Sequence, residues 1–445
     1  MDTAVPSRRR AAVTGLSGAC GHRRPGVVSP SPDNRRWWAC PGTAGADAIT
    51  QDLVKRKEEA MMKRRSVSTA TALVALGLLV GRPSLAWSQS AATDPPALAP
   101  VPLSFGATVR AARELLQQDL AEKRYPGIAV AVSVDGRTVL SEGFGYADLE
   151  HRVPMTPSVK FRVGSIAKPM TAATVATLYQ QERIDLDASI ERYVPTFPRK
   201  AHPITARQLG GHLAGIRHYQ GDENFIRDPY PTVLDALAIF ADDPLLHEPG
   251  TAFSYTSHGF NLLSAVVEGA SGSDFLGYIR EVVFRPLGMN DTVADFVTSI
   301  IPHRAGFYVR DDNGELVNAP FVNNSYKWAG GGFLSTTEDV LRFGNAHLGD
   351  GYLSHDARHL LFTEQKTRDG EPVGYGFGWF IGVDPDGRRL WSHAGGSVGG
   401  TSLLIIQPET RVVVVGLINL SGADNDVVRD VLTLFTRAAV SSTDR

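Results

Sequence analysis

The sequence predicts an α+β protein (mixed α/β): one antiparallel sheet built from the N- and C-terminal segments, flanked by helices, with an all-α lobe inserted between them. Three observations carry that prediction. Apolar, β-type segments occupy 127–145 and return from about 374 to 417. Helical patterns fill the middle, from Ser165 to about 290, broken repeatedly by proline between Pro195 and Pro249. Asp135-Gly136, set between two apolar runs, is the strongest hairpin signal in the chain.

Taken in order, 107–121 has helical spacing of Val109, Ala112, Leu115, Leu116 and Leu120. Gly127–Val134 and 138–145 are the two arms of the hairpin. Ser165 then opens an apolar helical run through Met170 and Ala176. Strands are predicted at 375–383, 389–392, 401–407 and 411–417, and a closing helix at 427–440. No internal repeat is visible.

The chain has 445 residues, 43% hydrophobic and 21% charged, which is ample for a large core. Charge is unevenly spread: residues 1–90 hold 14 Lys/Arg against 6 Asp/Glu, and the remainder holds 31 against 41. The working part is acidic, with no basic patch that argues for nucleic acid. Met62-Lys63-Arg64-Arg65, the apolar run 69–81 and the small residues around Ala86 and Ala91 read as a secretory signal peptide at 61–90. The apolar run is too short for a membrane span of ~20 residues, so no stable anchor is expected after cleavage. Residues 1–60 are expected to lie upstream of the true start, at Met61 or Met62. The codons of Lys55–Glu59 (KRKEE) can be purine-rich, as a ribosome-binding site would be. Residues 91–104 read as an Ala/Pro-rich linker, and 105–445 as the working domain. Both cysteines, Cys20 and Cys40, fall in the leader. A cysteine-free mature chain has no disulfide, thiolate nucleophile or cysteine metal site, and suits the periplasm or the medium.

Chemistry concentrates at three places. Ser165-Ile166-Ala167-Lys168 puts a serine and an amine on one helix face, at the end where free backbone N–H groups meet developing negative charge. A nearby amine can take the serine's proton and make it a nucleophile. Tyr255-Thr256-Ser257 offers a phenol as second proton carrier. His393-Ala394-Gly395-Gly396-Ser397 is read as the link between two β-segments. Its glycines permit close backbone approach, and His393 is expected at the rim as a partly cationic group.

Ser165-x-x-Lys168, Tyr255-x-Ser257 and His393-x-Gly395, in that order, resemble the three motifs of the serine β-lactamase and penicillin-binding protein superfamily. The tyrosine motif points to the branch of class C enzymes, D,D-peptidases and family VIII esterases. Gly215–Tyr219 (GIRHY), Pro286–Met289 (PLGM) and Ser325–Thr336 (SYKWAGGGFLST) are similar to the mitochondrial serine β-lactamase-like proteins and their bacterial relatives. The resemblance covers about 105–440. It implies a β-lactamase/transpeptidase-like fold, with Ser165 the acylated nucleophile and Lys168 and Tyr255 its proton partners, either of which is open as the base. It implies an oxyanion hole from the amides of Ser165 and Gly396, with Gly395, His393 and Ser257 lining the substrate site. No metal or organic cofactor is implied.

Two departures bear on substrate. Ser257 stands where class C enzymes have asparagine, and His393-Ala394-Gly395 stands where many lactamases have Lys-Thr-Gly. A permanent cation becomes an imidazole, about a quarter charged at pH 7 for a pKa near 6.5. The expectation is an exported hydrolase of amides or esters in small molecules or peptides, poor on β-lactams, and more active on carboxylate substrates below neutral pH through His393. The alternative is a non-catalytic or penicillin-sensing scaffold. Gly395–Gly399 also spells the nucleophile elbow of α/β-hydrolases, but no histidine follows Ser397 and a strand, not a helix, comes next. No H-E-x-x-H zinc motif is present, and the glycines at 330–332 lack the lysine of a phosphate loop and read as a tight turn.

Overall fold

A computed structural model describes residues 105–443; the expected leader, signal peptide and linker lie outside them. The strands are β1 (Gly127–Val134), β2 (Arg137–Asp148), β3 (Val153–Pro154), β4 (Phe161–Arg162), β5 (Val293–Ala294), β6 (Tyr308–Arg310), β7 (Leu316–Asn318), β8 (Phe333–Ser335), β9 (Phe380–Val383), β10 (Arg389–Ser397), β11 (Gly400–Gln407) and β12 (Val412–Ile418). The main sheet is antiparallel in the order β3-β2-β1-β12-β11-β10-β9. Its centre joins the two ends of the chain, with Ile128 opposite Ile418 and Val134 opposite Val412. The expected hairpin closes it on one side: Asp135 and Gly136 take φ of 51° and 74°, the left-handed pair that a tight turn between twisted strands demands.

The helices that matter to the site are α1 (Gly106–Lys123), α2 (Ala167–Gln180), α3 (Ser257–Ser271), α4 (Trp328–Gly331), α5 (Thr337–Ala346) and α6 (Asp426–Thr443). β1, β11 and β12 are buried at every residue, because both faces of the sheet are covered. Strand alternation sends Ile128, Val130 and Val132 to an outer layer with Ala112 and Leu116 of α1 and Val431 and Phe435 of α6. It sends Ala129 and Ala131 to an inner layer with α2, α3 and α5. The inserted helical lobe is the expected one.

α2 runs through the centre of the inner layer, buried from Ala167 to Leu178. Small residues let it pack on all sides. Its buried threonines, Thr171, Thr174 and Thr177, return their hydroxyls to the carbonyls of Ala167, Met170 and Ala173, so no polar atom there is stranded. α3 starts on Thr256, whose side chain caps the amide of Gly259, and stops at Gly272 in the left-handed region.

Two strand boundaries differ most from expectation, while β2 runs three residues past the expected 145. The predicted strand at 375–383 begins only at Phe380, since 374–379 folds into a turn that bonds Ile381 N to Gly374 O and Gly376 N to Trp379 O. The predicted strand at 389–392 continues to Ser397. His393–Ser397 is therefore part of β10, paired with β11 throughout, and the turn falls on Val398-Gly399. The glycines in this motif serve close approach of two backbones, not chain reversal.

Candidate active site

Ser165 sits in a short 3-10 turn, Gly164–Ile166, between β4 and α2. Gly164 holds φ of 50°, and a Cβ there would stand 2.6 Å from the carbonyl oxygen of Gly396. A Cβ on Gly395 would stand 2.9 Å from the amide nitrogen of Ser165. Only glycine at both places lets the turn that carries Ser165 lie against β10.

Register then decides which amide of β10 faces the serine. Ile381 gives its amide to Gly374, so Phe380 and Gly382 are the residues of β9 that bond β10, at Ser392 and Leu390. By alternation Ala394 and Gly396 turn the same way, past the end of β9. The amide of Gly396 thus points to the open edge beside Ser165, where the oxyanion partner was expected.

Lys168 lies one turn below Ser165 and is wholly buried. Its Nζ lies 2.9 Å from each of three neutral acceptors: Ser165 Oγ, Ser257 Oγ and the carbonyl oxygen of Gly330. An ammonium would donate to all three. A neutral amine would donate to two and accept the Ser165 proton on its lone pair, so the same geometry serves both states. The ring of Tyr255 has its centroid 4.8 Å from the Lys168 amine. The structure thus brings Ser165, Lys168, Tyr255 and Gly396 together.

Ser257, expected to face substrate, instead points inward onto Lys168 and is only 3% exposed. As the first residue of α3 its direction is set by the helix start. Two histidines outside the three motifs complete that start. Nδ1 of His212 accepts the amide of Thr256, and Nδ1 of His218 accepts the amide of Ser257, each at 3.1 Å. Imidazole nitrogens thereby satisfy backbone donors that a helix N-terminus leaves unpaired. To accept, both rings must be neutral. Burial, reinforced by the Lys168 charge, holds His212 well below its ordinary pKa and His218 at about 3. His212 also lies 4.3 Å from the Tyr255 ring, centroid to centroid.

His393 does not stand at the rim. It is fully buried, bonded through Nε2 to the Tyr375 hydroxyl at 3.0 Å and through Nδ1 to the Ala394 carbonyl at 2.6 Å. Burial, then the Lys168 charge, brings its pKa to about 3. It is neutral at any physiological pH, so the expected gain in activity below neutrality through His393 does not follow. Gly330, read as part of a tight turn, lies in α4 and supplies a carbonyl to the Lys168 amine. A surface cavity of about 410 Å³ that includes Arg183, Asp187 and Arg207 shares no residue with this cluster, and its Arg207 and Asp187 are paired with each other.

Comparison with known proteins gives the family and the fold. A profile of the beta-lactamase family matches residues 112–437. Human "Serine beta-lactamase-like protein LACTB, mitochondrial" is 33% identical over 399 residues, covering 68% of this chain and 73% of that one. Penicillin-binding protein 4* of Bacillus subtilis is 27% identical, covering 69% and 71%. D-aminopeptidase of Gluconobacter oxydans is 29% identical, covering 71% and 59%. Among solved structures, the octameric penicillin-binding protein homologue from Pyrococcus abyssi superposes with a TM-score of 0.65 at 28% identity, covering 74% of this chain and 77% of that one. A D-stereospecific amidohydrolase from Streptomyces shares the fold with a TM-score of 0.63 at 24% identity, covering 73% and 97%.

Proposed function

This chain belongs to the beta-lactamase family, and from that premise we propose that it is an exported serine hydrolase, periplasmic or secreted, that cleaves an amide or ester through an acyl-Ser165 intermediate. The observation that carries this reading is the 2.9 Å contact between Lys168 Nζ and Ser165 Oγ, with the Ser257 hydroxyl and the Gly330 carbonyl bonded to the same amine.

The substrate carbonyl would lie with its oxygen toward the amides of Ser165 and Gly396. Lys168 takes the hydroxyl proton as Oγ attacks the carbonyl carbon, and the oxyanion forms against the two amides. The intermediate collapses, the C–N or C–O bond breaks, and the Lys168–Tyr255 pair returns the proton to the leaving group. Water then repeats the sequence on the ester to release the acid and restore Ser165. Ser257, His212 and His218 are positioning residues: the first orients the amine, the other two hold the start of α3.

Peptide or ester substrates are favoured over β-lactams. With His393 buried and neutral, the motif His393–Gly395 offers no cation for the carboxylate of a β-lactam. The relatives bear names of an aminopeptidase and a penicillin-binding protein, consistent with acyl transfer on amides.

Intact-mass spectrometry tests the proposal. The protein without its leader would be incubated with a fluorophosphonate and, separately, a fluorescent penicillin, beside Ser165→Ala. An adduct on the wild type alone is expected, and its decay rate separates a hydrolase from a sensor. No adduct from either reagent would overturn the reading and leave a scaffold.

A further inference from the structure

The site contains a second buried lysine that the reaction above does not use. Lys327 is 4% exposed and immediately precedes α4, three residues before the Gly330 carbonyl that holds Lys168. Its Nζ stands 5.3 Å from the centroid of Tyr326 and 5.9 Å from that of Tyr219. Tyr219 stacks on His218 at 4.6 Å, and His218 meets the Tyr255 ring edge-on at 5.8 Å. Lys327 therefore ends a continuous aromatic wall that begins at the catalytic tyrosine.

Among the described residues no carboxylate or other acceptor bonds this amine. The carboxylate whose charge reaches it, Asp295, is committed elsewhere: to Arg162 at 2.7 Å, to Asn324 at 2.8 Å and to Arg304 at 3.4 Å. A buried amine with no anionic partner is costly, and proteins keep such groups where they act. The third motif, His393–Gly395, meanwhile carries no cation, and the arginine of its strand, Arg389, is paired with Glu409.

We propose that Lys327 is a specificity-determining residue that anchors a carboxylate carried by the substrate on the Tyr219 side of Ser165. One amine between two tyrosine rings fits a single negative charge. A phosphate would call for more donors than this wall supplies. The inference rests on Ser165 being acylated, and it moves anion recognition from the His393 motif to the Tyr219 wall.

The charged and titratable groups facing Lys327 are Tyr219 and His218 from one segment, Tyr326 from its own, Arg162 from β4 and Asp295 after β5. Burial, with a smaller push from Arg162, lowers its pKa to about 7. The ammonium that a carboxylate needs is therefore present below pH 7 and is progressively lost above it.

The test is the ratio of kcat/KM for p-nitrophenyl hydrogen glutarate over its methyl ester, measured from pH 6 to 9 on the full chain. The wild type should favour the acid about 10–100-fold at pH 6, the worth of a charge-assisted bond, and lose that preference above pH 7. Lys327→Met should bring the ratio near one at all pH values. Lys327→Arg should keep the preference and remove its decline above pH 7. A wild-type ratio near one, or a ratio unmoved in Lys327→Met, overturns the proposal while Ser165 still forms its fluorophosphonate adduct. If Lys327→Met does not fold, the wild-type pH profile and the Arg variant decide alone. Loss of the Ser165 adduct would instead strike the hydrolase reading.

Discussion

The two layers that sandwich the main sheet are built on opposite terms. The outer layer, where α1 and α6 cover β1 and β12, buries hydrocarbon: Leu116, Val130, Val132, Val431, Phe435. Its charges stay outside, as in the pair Lys123–Asp424. The inner layer buries Lys168, Lys327, His212, His258 and His393 in the same volume as its phenylalanines. A desolvated amine costs the fold stability, and a buried imidazole supports it only while neutral. Their confinement to the side that carries Ser165 teaches that one face of the sheet is organised for stability and the other gives up stability for chemistry.

The sharpest way to break that contrast is Lys168→Met, which keeps the volume and removes the amine. It should lower kcat/KM by about 10²–10⁴-fold while leaving Tm unchanged or higher. A fall in both would show that the amine also holds the lobe together. The reciprocal change in the outer layer is Phe435→Ala, which opens a cavity beside Phe105. It should cost about 3–5 kcal/mol in urea unfolding, with kcat per folded molecule preserved.

Acid should find the inner layer first. His218 and His393 are held at about 3 and His212 well below its ordinary value, against about 6.5 when unfolded. Because the folded pKa is depressed, the unfolded chain binds protons first as pH falls. Stability is complete above about pH 6.5 and declines toward pH 3, by up to ~1.4 kcal/mol per pH unit for each ring. Hydrogen exchange at pH 5 should show the start of α3 opening before α1 or α6; equal loosening of both layers would refute the assignment. The smallest effect belongs to the outer surface. Lys123→Ala removes a half-exposed ion pair and should shift stability by less than ~1 kcal/mol, the more weakly at high salt.

Much of this was legible in the chain. The hairpin followed from Asp135-Gly136, the sheet from apolar segments at both ends, and the Ser165–Lys168 contact from helical spacing. What escaped depended on direction. A strand shows alternate residues to opposite sides, so whether His393 looked into the site or away from it turned on the register of β10 with β9 and β11. Ser257 was recognised as part of a motif, yet its aim onto Lys168 came from its place as the first residue of α3. His212 and His218 gave no periodic signal, since their work is to accept two backbone amides. The Gly330 carbonyl had none either, because main-chain atoms are common to every residue. The run around Lys327 had stood out as a string without revealing that its amine lies unpaired.

The pairing of β1 with β12 also sets the order of events during synthesis. Ile128 can pair early with Phe144 of β2, but its other side stays open until Ile418 has been made, and Ser165 has no Gly396 until β10 and β11 have zipped together. Contacts this remote in sequence form slowly. A ribosome-bound chain therefore carries Ser165 without the amide of Gly396 beside it, and the proposed site is complete only with the last stretch of polypeptide. A nascent chain that stops short of β10 should be as inert toward a fluorophosphonate as Ser165→Ala.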